Sequence, residues 1–219
     1  MYKIGILGGM GPEATNLLFK YIIKYKDVKT DQEHLPLIIL NNPSFPDRTK
    51  AIIDKDDKLI NLFKNELKTF KKLNVKYYCC PCNTAHYFLR KIDDKKPILI
   101  DLISTTQNYL LEHHKKDNII ILSTKGTKIS NLYTFDNIKT NYTTYQDEID
   151  EVITLIKAQS NKALDKLKLT LQKEKPSKNT IFVLACTELS IYYEELKKLN
   201  YNVIDPLILL SKRIIKLVK

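Results

Sequence analysis

Eight short apolar runs rich in β-branched residues alternate with seven longer amphipathic stretches along this chain of 219 residues. The short runs fall at 3–7, 37–41, 75–80, 98–101, 119–122, 137–142, 181–185 and 201–204. The amphipathic stretches fall at 12–26, 57–73, 84–92, 103–114, 147–172, 188–199 and 207–218. Nearly continuous apolar strands with helices between them predict parallel sheets covered on both faces and built from strand–helix–strand units. The chain also echoes itself. A strand leading into Cys82-Asn83-Thr84 is matched half a chain later by one leading into Cys186-Thr187-Glu188. Likewise Ile4-Gly5-Ile6-Leu7-Gly8 before Gly11 is matched by Ile119-Ile120-Ile121-Leu122-Ser123 before Gly126. Two related half-chains, each a small doubly wound α/β domain, are the simplest account. Ligands of such sheets bind beyond the carboxyl ends of the strands, where both cysteines fall. Two halves facing each other would aim two thiols into one cleft.

Charge narrows the choice of partner. Lysine and arginine total 36 against 25 acidic residues, a net charge of +11. Nearly all of the excess is lysine, scattered singly and in pairs, and Arg48, Arg90 and Arg213 are the only arginines. Nucleic-acid surfaces rely on arginine forks and clustered charge. This pattern reads instead as a solvated lysine coat, with no nucleic-acid partner. No apolar run approaches the roughly 20 residues of a membrane span, so no membrane partner is expected. The apolar stretch at the N-terminus is too short for a signal peptide and is broken by glycines. Four cysteines without a targeting segment point to the reducing cytoplasm.

Three patterns could carry chemistry. Gly9-Met10-Gly11-Pro12-Glu13-Ala14 follows a strand and opens a helix, as a dinucleotide-binding loop does. The acid that should hold a ribose about 20 residues on is missing, because the second strand ends in Asn41-Asn42. Pro12 also removes an amide that a pyrophosphate would use. The same turn can offer backbone amides to a small carboxylate. Secondly, Cys79 and Cys82 form a C-x-x-C, a redox signature, yet Cys79 and Cys80 fall inside the third strand, where cysteine is a small buried apolar residue. Cys79, Cys82 and His86 lack a fourth ligand for a metal.

The third pattern pairs Cys82 with Cys186. Removing the α-proton of an amino acid without pyridoxal phosphate demands a strong, poorly solvated, well-placed base, and inversion demands a proton donor on the other face. Two thiols can exchange those roles. A helix N-terminus lowers a thiol's pKa toward neutrality, while Asn83, Thr84 and Thr187 can donate hydrogen bonds to a thiolate or a substrate carboxylate. Arg48, between a proline-rich turn and a helix start, suits bidentate carboxylate binding, and Asp47 suits a helix cap. Ser123, Thr124 and Thr127 add a hydroxyl cluster at another strand end.

Gly8-Gly9-Met10-Gly11-Pro12-Glu13-Ala14-Thr15, Pro46-Asp47-Arg48-Thr49, Pro81-Cys82-Asn83-Thr84-Ala85-His86, Thr124-Lys125-Gly126-Thr127 with Tyr133, and Cys186-Thr187-Glu188-Leu189 occur in this order over nearly the whole chain. Together they resemble the aspartate/glutamate racemase family, in its aspartate racemase branch. Cell-wall glutamate racemases carry Asp-Ser-Gly in the first loop and Cys-Thr-His in the last. Met10-Gly11-Pro12 and Cys186-Thr187-Glu188 resemble the aspartate branch instead.

The resemblance implies two flavodoxin-like doubly wound domains related by pseudo-twofold symmetry, 1–99 with 206–219 and 100–205, with the active site in the cleft between them. It implies a homodimer that uses neither cofactor nor metal. The implied reaction is interconversion of L- and D-aspartate, with glutamate or a broader set open, and Cys82 and Cys186 as the acid–base residues. Met10, Asn83, Thr84, Thr124 and Thr187 would hold the amino acid, and Arg48 would grip its side-chain carboxylate. Lys162 is the better match for an assisting lysine, with Lys157 its competitor. Gly9, Gly11, Asp47 and Glu188 would support these residues. A catalytically silent amino-acid or dicarboxylate binding protein on the same fold is the alternative, and a thiol redox protein using Cys79 and Cys82 is the third reading.

Overall fold

The computed structural model describes residues 2–218. Its first half runs β1 (Ile4–Gly8), α1 (Pro12–Tyr25), β2 (Leu37–Asn41), α2 (Arg48–Ile53), α3 (Lys58–Lys72), β3 (Tyr77–Cys79), α4 (His86–Leu89) and β4 (Ile98–Leu99). The second half runs α5 (Leu102–His113), β5 (Asn118–Leu122), α6 (Lys125–Ile129), β6 (Thr140–Tyr142), α7 (Gln146–Lys157), α8 (Ala163–Lys173), β7 (Thr180–Leu184), α9 (Tyr193–Lys198), β8 (Val203–Ile204) and α10 (Pro206–Leu217). The strand orders are β2-β1-β3-β4 and β6-β5-β7-β8, all parallel. One topology therefore occurs twice. Cys82 follows β3 and Cys186 follows β7, the equivalent strand, which is why the sequence repeats itself around the two cysteines.

The central strands read as unbroken apolar runs because helices bury both of their faces. On one face of the first sheet, Leu7 and Tyr78 pack with Phe63, Leu67 and Phe70 of α3. On the other, Ile4, Ile6 and Cys79 pack with Leu18 of α1 and with Leu207, Leu210 and Ile214 of α10. The last helix thus covers the first sheet, and each of these fully buried aliphatic side chains contributes about 1.5–3 kcal/mol. In α5, Leu102 joins that cluster, whereas Ile103 and Leu110 pack with Ile119, Ile121 and Val183 of the second sheet.

The expected single helix over 147–172 is two helices. Ser160 N–H bonds to the Leu155 carbonyl and Gln159 N–H to that of Ile156, with Gln159 at φ +54°. These paired bonds form a Schellman cap, which satisfies the last carbonyls of α7 and stops it at Lys157. The apolar periodicity continues into α8 and hides the break. The expected helices at 84–92 and 188–199 are likewise shorter. Only α4 is helical in the former, and a 3₁₀ turn at Leu189–Tyr192 precedes α9 in the latter.

Candidate active site

The loops after β1, β2, β3, β5 and β7 converge with the end of α7 on one cavity. Cys82 and Cys186 both line it, 6% and 4% exposed. As it stands the cavity holds about 30 Å³, room for about one or two waters. Met10, Asp47, Arg48, Asn83, Thr84, Thr124, Thr187 and Glu188 line it too. Gly9 and Gly11 line an adjoining outer cavity of about 590 Å³, which Arg48, Lys157 and Glu188 share with the inner one. Lys157, not Lys162, reaches the inner cavity. The Schellman cap places Lys157 last in α7, at the cavity wall, and sends Lys162 to the exposed start of α8.

Hydrogen bonds across the cleft hold the two halves together. Thr84 Oγ1 of the first half meets Thr124 Oγ1 at 2.9 Å and Thr127 Oγ1 at 3.0 Å. Thr187 Oγ1 donates to the Pro81 carbonyl at 3.0 Å. Tyr133 donates its hydroxyl to Asn83 Oδ1 at 2.6 Å, which fixes the Asn83 amide and leaves its buried Nδ2 without a partner. Among the described residues, that Nδ2 is one of four such side-chain atoms, and Arg48 Nε is another. Gly126 lets α6 approach α2: a Cβ there would lie 2.7 Å from Thr49 Oγ1 and 3.0 Å from Thr84 Cγ2. Thr127 belongs to the hydroxyl cluster expected at this strand end, whereas Thr49 and Tyr133 belong to the quoted motifs with no pattern in the sequence that distinguishes them as site residues.

The glycine turn has a packing explanation. Gly9 has φ +95°, and a Cβ there would lie 2.3 Å from the Asn42 backbone. Only glycine permits that conformation and that approach.

The surroundings of the two thiols differ in charge. Arg48 anchors its guanidinium on two carbonyls, Nη1 donating to Phe45 O at 3.2 Å and to Pro46 O at 2.9 Å. The same guanidinium and the Cys82 thiol line one cavity, and the positive charge favours the thiolate there. Cys186 Sγ instead donates to Glu188 Oε2 at 3.0 Å, and Lys157 Nζ lies 3.9 Å from the other oxygen of that carboxylate. Asp47 caps α2 through the Lys50 amide at 2.7 Å.

Both thiols sit above the usual cysteine range, contrary to the expectation of helix-lowered values. Burial is the first cause in each case. Arg48 and the Ala85 amide pull Cys82 back, whereas the Glu188 carboxylate pushes Cys186 further up. The helix effect is weak because α4 begins at His86 and the 3₁₀ turn at Leu189, so neither thiol stands in the first turn. Local amides replace it, those of Ala85 and Glu188.

His86 is structural. Its Nδ1 bonds the Cys82 carbonyl at 2.8 Å and its Nε2 accepts the Leu102 amide at 3.2 Å, so it is held neutral and burial lowers its pKa. With both nitrogens occupied it is not free to bind a metal. Cys79 packs with Ile4, Ile6 and Leu18, while Cys82 belongs to the cluster on the other face. The C-x-x-C therefore does not present two thiols to one site.

A family model described as Asp/Glu/hydantoin racemase matches residues 7–212. The chain is 25% identical over 225 residues to the broad specificity amino-acid racemase RacX of Bacillus subtilis (strain 168), with 95% of each covered. An aspartate racemase structure from Picrophilus torridus matches with a TM-score of 0.88 at 28% identity, over 99% of this chain and 94% of that one. A glutamate racemase isoform from Bacillus anthracis matches with a TM-score of 0.72 at 16% identity, over 99% and 81%. That last likeness is one of fold.

Proposed function

The chain belongs to the Asp/Glu/hydantoin racemase family, and from that premise we propose that it is a cofactor-independent amino-acid racemase that interconverts L- and D-aspartate. The observation that carries the reading is the pair of buried thiols on equivalent strands, both lining one cavity. With the substrate between them, one thiolate takes the proton from Cα and becomes a thiol. The other thiol delivers its proton to the opposite face and becomes a thiolate. Two faces need two groups, and a silent binding protein needs neither.

The remaining groups suit a doubly charged acid. The unpartnered Asn83 Nδ2, together with the Thr84, Thr124 and Thr187 side chains, can hold the amino-acid carboxylate. Arg48 and Lys157 can grip the side-chain carboxylate. A cavity of about 30 Å³ keeps water away from the carbanion, and the halves must part to admit a substrate. Residues 1–99 with 206–219 and residues 100–205 are read as the two domains that part. A homodimer in the cytoplasm is the state in which the enzyme is proposed to work, and light scattering tests the dimer.

Pure reduced protein should racemise L-aspartate, followed by chiral chromatography, and should remain active after dialysis against chelator and after hydroxylamine treatment. Cys82→Ala and Cys186→Ala should each abolish racemisation. Saturable aspartate binding without turnover would instead leave the silent binding protein, and full activity in either cysteine variant would refute the two-thiol mechanism.

A further inference from the structure

We propose that Tyr133 is a positioning residue for the α-carboxylate of the substrate: its hydroxyl, reaching over from the second half of the chain, holds the Asn83 amide of the first half with the oxygen turned away from the cavity and the nitrogen turned in. The inference rests on the racemase reading above and adds which donor receives the carboxylate and what aims it.

A count of protons singles out Asn83. The hydroxyls of Thr84, Thr124 and Thr127 form a closed triangle with sides of 2.9, 3.0 and 3.2 Å, in which each can give its one proton to the next. Thr187 gives its proton to the Pro81 carbonyl. Asn83 lines the same inner cavity and is 2% exposed, yet its Nδ2 carries two N–H bonds and has no acceptor. Buried donors are nearly always paired. The acceptor for this one has to come from the cavity, and an ionised carboxylate is the strongest acceptor it can meet there.

Tyr133 decides which end of the amide faces inward. The phenol oxygen lies 2.6 Å from Asn83 Oδ1. That separation is ordinary for O–H···O and short for N–H···O, so the amide oxygen, not the nitrogen, meets the hydroxyl. Burial holds the phenol above its usual pKa, so it keeps the proton it donates. The anchor is firm. Tyr133 is fully buried in the core cluster of Ile103, Ile119 and Val183, its N–H donates to Tyr142 Oη at 2.9 Å, and its carbonyl accepts from Thr140. The Asn83 carbonyl in turn accepts the His86 amide at 3.0 Å, so the backbone and the side chain of Asn83 are each held by one bond. Without the phenol the amide can turn over and present its oxygen, which repels a carboxylate.

A double-mutant cycle tests the assignment. Values of kcat and KM for L-aspartate, and its Kd by calorimetry, are measured for the wild type, Tyr133→Phe, Asn83→Ala and the double variant. Asn83→Ala should lower kcat/KM at least about tenfold, the size of one hydrogen bond to a charged group. Tyr133→Phe, which removes only an oxygen, should lower it about three- to tenfold and chiefly through KM, because the bound substrate already makes the contact. In the Asn83→Ala background the same change should cost less than about twofold, since Tyr133 then has nothing to aim. Where turnover is too slow to follow, the Kd values close the same cycle. Asn83→Asp has the same shape and serves if Tyr133→Phe does not fold. It presents an oxygen to the substrate and should bind L-aspartate more weakly than Asn83→Ala does. Wild-type kcat/KM in Tyr133→Phe, a loss confined to kcat, an equal loss in both backgrounds, or Asn83→Asp binding as tightly as Asn83→Ala would overturn the assignment. The racemase reading fails separately: wild-type protein that binds L-aspartate without turning it over removes that reading, while the Kd cycle still decides this one.

Discussion

Arg48 has five N–H donors and more than one anion to serve. Two carbonyls hold Nη1, Cys82 lines the same cavity, and Nε is buried without a partner. Burial lowers the guanidinium's pKa, but Cys82 and Asp47 raise it by more, so it stays charged. If the side-chain carboxylate of aspartate also docks here, Arg48→Leu removes a charge-assisted contact worth about 1.5–3 kcal/mol. Since about 1.4 kcal/mol is tenfold, kcat/KM for aspartate should fall at least about tenfold. Arg48→Lys should not restore it, because an ammonium lacks the planar fork. A neutral amino acid should lose less, namely the part that comes from Cys82 losing its cation. Equal losses for both substrates with a lowered Tm would mean that Arg48 only anchors its loop. Arg48, Cys82 and Cys186 were legible in the sequence because each is a rare residue type just beyond a strand. The lysine was not. Lys157 and Lys162 flank a helix end that side-chain periodicity cannot reveal, and only the cap at Gln159 decides which of them reaches the cavity.

That cap belongs to a habit of this chain. With five glycines in 219 residues, it ends helices on side chains that resist the left-handed region. Lys55, Asn74, Gln159 and Asn200 all have φ between +52° and +61°, and each is followed by the pair of bonds seen after α7. A non-glycine residue in that region costs about 1–2 kcal/mol, less for asparagine, and a glycine's extra freedom in the unfolded chain returns part of this. Lys55, exposed after α2, should therefore gain about 0.5–1 kcal/mol on replacement by glycine, a rise in Tm of about 1–4 °C. Asn74→Gly after α3 should gain less. Calorimetry on the two variants checks both values, and a lower Tm for Lys55→Gly would show that its side chain contributes more than its backbone costs. This substitution of other residues for glycine explains why the helix at 147–172 looked continuous. The usual stop signal is absent, and the apolar faces of α7 and α8 happen to stay in phase. The strands were easier, because burial on both faces leaves an apolar run that no surface helix shares.

At the scale of the whole molecule, the repeated strand order was legible from matching runs half a chain apart. How the halves are tied was less so. The chain passes to the second half after β4 and returns after β8, where Asp205 opens α10 and sends it back onto the first sheet. Asp205 is 2% exposed, and its Oδ1 accepts from the Leu207 amide and from Ser190 Oγ, each at 2.8 Å. Burial raises its pKa from 3.8 to about 6, against hydrogen bonds that pull it down. The folded protein therefore holds a proton between pH 4 and 6 that the unfolded chain has released. The stabilisation from that proton is complete below the unfolded value and is lost as pH rises through the folded one. At about 1.4 kcal/mol per unit, the loss amounts to roughly 3 kcal/mol across the window. Asp205→Asn keeps an oxygen for the cap and cannot ionise. Its Tm should rise relative to the wild type as pH goes from 4 to 6, by about 6–12 °C in all, and then run parallel. Melting curves of both proteins at half-unit steps measure the difference directly. If the two stay parallel from pH 4 to 7, Asp205 is ionised in the fold throughout, and the junction between the halves holds a charge rather than a proton.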